Sequence, residues 1–173
     1  MMRIEVTYLC KELPLGLEKV QHEKIVQGYL SNRPDAVRIR RKGNTYSITR
    51  KKIVVPGDFS FRDYISLEIF GEEFEKIWPL MVKTLQKTRY YFSKEYGGPE
   101  VRIDVFEGDL KGLVLTELIF ANEDDLRNFK KPEWFSADVT ASADLNNPSV
   151  AGKKFKDLEP IIKKYSELKV PNQ

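Results

Sequence analysis

Charged and apolar side chains alternate along almost every extended-looking stretch of this 173-residue chain, and a β-strand places residues two apart on the same face. In Val37-Arg38-Ile39-Arg40 and Gln86-Lys87-Thr88-Arg89-Tyr90 the basic residues share one face and the apolar or neutral residues take the other. The carboxylates obey the same rule. Glu5, Glu68, Asp104 and Glu117 sit among apolar residues of opposite parity, as Glu68 does between Leu67 and Ile69 and Asp104 between Ile103 and Val105. A sheet with one wet face accounts for any single strand of this kind. Repetition along the chain points further: where nearly every strand has a charged and an apolar face, and helices remain to cover the apolar one, the charged face is the interior of a closed barrel. Such an interior holds water or a ligand, because unpaired charges are not buried dry.

The pattern predicts strands over Arg3 to Tyr8, Lys24 to Ser31, Ala36 to Lys42, Thr45 to Val55, Phe61 to Phe70, Leu85 to Tyr96, Pro99 to Glu107 and Leu113 to Ala121. Asn32 to Asp35, Gly43-Asn44 and Gly97-Gly98 supply turns. Helices are expected over Glu72 to Met81, over Glu123 to Phe129 behind a capping Asn122, and over Lys153 to Leu168, each with one apolar stripe. The expected fold is α+β: an eight-stranded antiparallel β-barrel with helices packed outside. Trp78, Phe129, Trp134 and Phe135 read as packing residues of the outer layer.

The length suits one domain over residues 1–173. The apolar content of 41% is ordinary for a globular chain, and no apolar run approaches the roughly 20 residues of a membrane span. The N-terminus shows no secretory pattern, and a lone Cys10 forms no internal disulfide, so a cytoplasmic protein without membrane association is expected. The net charge of +3 is too small to argue for duplex DNA. His22, in a polar turn, reads as solvated and Cys10 as buried and inert.

The strings Val26-Gln27-Gly28-Tyr29-Leu30, Val37-Arg38-Ile39-Arg40, Ile103-Asp104-Val105-Phe106 and Gly112-Leu113-Val114-Leu115-Thr116-Glu117 resemble the CYTH family, the triphosphate tunnel metalloenzymes, in order and spacing. Pro132-Glu133-Trp134-Phe135 followed by Asp138-Val139-Thr140 extends the likeness, which runs from about Arg3 to Ala151. The resemblance implies an eight-stranded tunnel where basic residues grip a triphosphate and carboxylates hold Mg or Mn. Its members act as class IV adenylate cyclases, thiamine triphosphatases or inorganic triphosphatases. By the same resemblance, Arg38, Arg40, Lys51, Lys87 and Arg89 are phosphate-binding, and Glu5, Glu68, Glu117 and Asp104 are the metal ligands.

Several positions depart from the family pattern. Its N-terminal Glu-x-Glu-x-Lys reads Arg3-x-Glu5-x-Thr7 here; Ser66, Arg102 and Ile119 stand where further acids are expected. Basic residues therefore outnumber carboxylates in the expected tunnel. Arg3 and Arg102 are expected to supply part of the charge a metal would bring, binding the anion through guanidinium contacts and weakening metal-dependent hydrolysis. The alternative for these two arginines is an ion pair with a neighbour such as Glu5 or Asp104. The ligand expected is a triphosphate-bearing anion: inorganic triphosphate, polyphosphate or a nucleotide. A catalytically inactive binding or interaction module is the competing expectation. RNA, through Arg38 to Lys42 and Lys51-Lys52, is less favoured because Tyr46 alone offers a stacking ring nearby.

Overall fold

The computed structural model describes residues 2–31, 35–55, 58–92 and 99–167. Strands β1 (Met2–Cys10), β2 (His22–Ser31), β3 (Ala36–Lys42), β4 (Thr45–Val55), β5 (Asp58–Ile69), β6 (Lys83–Tyr91), β7 (Glu100–Phe106) and β8 (Val114–Phe120) form one antiparallel sheet in the order β5-β4-β3-β2-β6-β7-β8-β1. It closes through pairing of Met2, Arg3 and Ile4 with Asp63, Arg62 and Phe61. The eight-stranded barrel read from the alternation is thus the fold. A short ninth strand, β9 (Phe135–Asp138), adds to β1 at Tyr8 and Cys10 and is absent from the sequence expectation. The expected extension of the sixth strand to Tyr96, the Gly97-Gly98 connection and residues Asn32 to Pro34 lie outside the described residues.

Helix α1 (Gly71–Ile77) starts where the Glu73 carboxylate accepts the Phe70 N–H at 2.7 Å, and it buries Phe74 between Tyr46 and Trp78. It is shorter than expected because Pro79 follows, and Trp78 to Leu80 tighten into a 3-10 turn. Asn122 caps α2 (Glu123–Asn128) by accepting the Asp125 N–H at 2.8 Å, as its position predicted. Asn146 caps a short α3 (Asn147–Val150), and α4 (Phe155–Glu167) buries Leu158. Among the described residues no helix is long and apolar enough to cross a membrane.

Two apolar clusters hold the barrel. Outside it, Ile4, Val6, Val101, Ile103, Leu118 and Phe120 pack under Phe135, Phe129 and Trp134. The second cluster was not expected. Leu9, Tyr29, Leu85, Phe106 and Leu115 have the parity of the charged residues, yet they pack with Val139, Leu145, Val150, Ala151 and Leu158. The C-terminal segment thereby fills one end of the interior with apolar side chains. The charged tunnel is confined to the remainder.

Candidate active site

Register sets which charges meet. Antiparallel partners point to the same side, so Arg38 stands opposite Tyr29 and Thr49, Arg40 opposite Gln27 and Ser47, and Lys51 opposite Tyr64. Arg89 stands opposite Asp104, and Arg102 opposite Glu117.

On the wall made by β6, β7 and β8 these charges neutralise one another. Asp104 is fully buried and accepts from Lys87 Nζ, from Arg89 Nε at 2.6 Å and from the Arg89 terminal nitrogen at 2.7 Å. The same Arg89 nitrogen reaches Glu117 at 2.7 Å. Asn147 on α3 closes the network: its Oδ1 accepts from Lys87 at 2.9 Å and its Nδ2 donates to Glu117 at 3.3 Å. Burial opposes the charge on each group and the partners decide the outcome. Burial raises Glu117, but Arg89, Lys87 and Lys51 hold it well below the usual carboxylate range. Arg89 is raised despite burial by Asp104 and Glu117. Lys87 goes the other way: burial, with Arg89 and Arg40 nearby, pushes it down to about 8 in spite of Asp104. Arg40 donates twice to Gln27 Oε1, at 3.1 and 2.9 Å, and is lowered by burial and by Arg38 and Arg89.

The opposite wall is different. A cavity of about 950 Å3 runs between it and the C-terminal segment, lined by Glu5, Arg38, Lys51, Arg62, Glu117 and Asn147 among others. Glu5 accepts from Lys51 at 3.0 Å and from the Tyr64 hydroxyl at 2.6 Å; burial raises its pKa, and these partners bring it below the usual value. Burial lowers Lys51, with Arg62 and Arg38 adding to the effect against Glu5. Arg38 is 9% exposed, its Nε has no hydrogen-bond partner, and among the described residues it forms no ion pair.

The expected site residues therefore divide. Arg38, Lys51, Glu5 and Glu117 line the cavity. Arg40, Lys87, Arg89 and Asp104 lie behind it, held by protein partners. Arg102 donates to Glu100 at 2.6 Å, an ion pair of the kind weighed as its alternative role, with a different carboxylate. Glu68 is exposed on β5, beyond the stretch that pairs with β1. Arg3 is placed by its backbone opposite Arg62, and its side chain lies outside the described part. At two positions where the resemblance implies acids, the Ser66 hydroxyl meets that of Thr49 at 3.0 Å, and Ile119 stands opposite Glu5. Arg62 and Tyr64 were missed although they share the parity of Glu68. Asn147 had no signal, since nothing in its sequence context places a loop amide inside a barrel.

Among the described residues no three carboxylate, histidine or cysteine side chains converge as ligands for a metal ion. Asp104 is taken by Lys87 and Arg89, Glu117 by Arg89 and Asn147, and Glu5 by Lys51 and Tyr64. In this arrangement the carboxylates do not fit a hard divalent cation, which needs several oxygens turned toward one point.

No protein-family model matches the chain. It is 32% identical over 154 residues to an inorganic triphosphatase of Nitrosomonas europaea, covering 87% of this chain and 97% of that protein. The crystal structure of an inorganic triphosphatase superposes with a TM-score of 0.65 at 29% identity, over 86% of this chain and 93% of the other. A conserved hypothetical protein of Pyrococcus furiosus shares the fold, with a TM-score of 0.51 at 17% identity over 72% of this chain and 82% of its own.

Proposed function

The chain belongs to the CYTH family of triphosphate tunnel proteins, and we propose that its cavity binds inorganic triphosphate or a related triphosphate-bearing anion by direct contact with Arg38, Lys51 and Arg62. One observation carries this reading: Arg38 is buried with an unpartnered Nε in the wall of a cavity of mixed polar and apolar lining, with Lys51 and Arg62 lining the same space. A buried guanidinium without a carboxylate costs several kcal/mol, and an anion in the cavity offsets that cost. Arginine presents parallel N–H donors that match phosphate oxygens.

The family chemistry implies Mg or Mn, which would polarise a phosphoryl group and a water when bound. Here the carboxylates are committed to cations of the chain itself, so the protein's own charge neutralises the anion and binding is separated from hydrolysis. Phosphate release is accordingly slow next to binding. Triphosphate binding by Arg38→Ala tests the reading. The expected loss is about 1.5–3 kcal/mol, roughly 10- to 150-fold in Kd. An Arg38→Ala protein that is folded by circular dichroism and binds triphosphate as tightly as the parent would refute it.

A further inference from the structure

Charge gives way to hydrocarbon on the way out of the cavity. On β3 and β4 the residues that follow Arg38 and Lys51 on the same face are Ala36 and Ile53, at one end of the antiparallel pair and roughly 7 Å further along each strand. Ala36 stands opposite Lys51, and Ile53 opposite Arg62. Leu80 and Val82 supply the neighbouring part of the rim. Met81 between them packs on β2, where a Cβ on Gly28 would overlap Met81 Cγ. The backbone at Met81 is extended, with φ −79° and ψ 119°, so Leu80 and Val82 turn away from the side that Met81 takes. Val82 leads into Lys83, the register partner of Tyr29, and Leu30 follows Tyr29. Leu30 and Val82 thus leave the sheet at the same level of adjacent strands.

Leu30, Ile53, Leu80 and Val82 all line the cavity, and they are 50%, 37%, 68% and 90% exposed. Four large aliphatic side chains left to solvent around one opening mark a binding surface. The rest of the rim is polar and of mixed charge, with Lys83, Lys153 and Asp144. What covers the aliphatic side must also suit the cations below it. Arg38, with Lys51 and Arg62 beside it, calls for an anion, and the aliphatic rim belongs to the same cavity of about 950 Å3. One molecule with phosphoryl groups at one end and a hydrocarbon chain at the other satisfies both. A nucleobase has no platform: Tyr29 is the one ring among the described lining residues, and its hydroxyl accepts from Gln27 at 2.6 Å.

We infer that the cavity takes a phosphate anhydride esterified with a short aliphatic chain, a prenyl diphosphate in kind. Its phosphoryl groups meet Arg38, Lys51 and Arg62, and its chain lies on Leu30, Ile53, Leu80 and Val82. This rests on the reading above of the three cations as the phosphate site. The test is calorimetric titration, in chelator, with inorganic triphosphate, inorganic diphosphate, isopentenyl diphosphate and geranyl diphosphate. Three proteins are compared: the parent, Leu80→Ser/Val82→Ser, and a control that removes as much exposed hydrocarbon outside the cavity, Ile65→Ser/Leu67→Ser on β5. The parent is expected to bind geranyl diphosphate about tenfold more tightly than inorganic diphosphate, the equivalent of about two fully buried methylene groups, with isopentenyl diphosphate between them. The rim variant loses that gain and keeps its triphosphate affinity, which also reports that it is folded, while the control retains both. Equal affinity of the parent for geranyl and inorganic diphosphate overturns the inference, as does a gain that survives in the rim variant or is lost equally in the control. A parent that binds no triphosphate sinks the triphosphate reading itself; one that binds triphosphate without favouring the aliphatic esters sinks the present inference alone.

Discussion

Lys87 has no solvent contact, and the groups that face it are Asp104, Asn147, Arg89, Glu117 and Arg40, with the Phe106 ring 5.2 Å from its ammonium. Its pKa of about 8 lies below the ordinary lysine value of 10.5. Between these values the unfolded chain holds a proton that the folded chain has released, so this group adds stability as pH rises through the window. An anion nearby favours the charged lysine, so the sign for binding is opposite. Triphosphate affinity is expected to be highest below about pH 8 and to fall above it, by well under tenfold per pH unit because Lys87 lies behind the cavity with Asp104 and Asn147 as its partners. In Lys87→Met that step disappears; a parent whose affinity is flat from pH 7 to pH 9 would contradict the assignment. Cys10 is a simpler case. Burial pushes its thiol up to about 11, and its Sγ lies 2.9 Å from Thr116 Oγ1. The folded protein should leave a thiol reagent such as DTNB unreacted at pH 8 and react fully in denaturant.

Strand faces were legible because their period is two: the parity of Arg38, Lys51, Glu5 and Glu117 in the sequence puts them on the cavity side, where they are. Parity does not say how far along the barrel each residue falls, and this is why Glu68, on the expected face, ends up exposed beyond the end of β1. Nor does it show which charges will pair, so the claim of Lys87 and Arg89 on the Asp104 carboxylate, in place of a metal ion, was invisible. The C-terminal segment was the least legible part. Its apolar residues enter the barrel end, and its one polar intrusion, Asn147, depends on the path of a loop. Two substitutions test these elements. A Cβ at Gly28 on β2 would overlap Cβ and Cγ of Met81, atoms too close to the backbone to swing aside, so Gly28→Ala should cost about 1–3 kcal/mol in denaturant unfolding. Leu158→Ala on α4 leaves a hole in the cluster at the barrel end and should cost about 2–5 kcal/mol. A loss below 1 kcal/mol from Leu158→Ala would mean that α4 does not seal that end.

At the scale of the molecule the barrel has two unlike walls. One wall carries a self-neutralised network of Lys87, Arg89, Asp104 and Glu117, and the other presents Arg38, Lys51 and Arg62 to a cavity held open between barrel and C-terminal segment. The sequence shows part of this division: Arg3, Ser66, Arg102 and Ile119 stand where the resemblance implies acids, while Arg38, Lys51, Lys87 and Arg89 match its basic positions. On the proposed reading, a bound anion is neutralised by these side chains. The most direct measurement is a calorimetric titration with inorganic triphosphate in excess chelator, repeated with Mg or Mn, with phosphate release followed in the same samples. Binding with similar affinity in both conditions, and slow release, is the expected result. Binding that appears only when the metal is added, accompanied by rapid phosphate release, would contradict the claim that the chain's own cations do the neutralising.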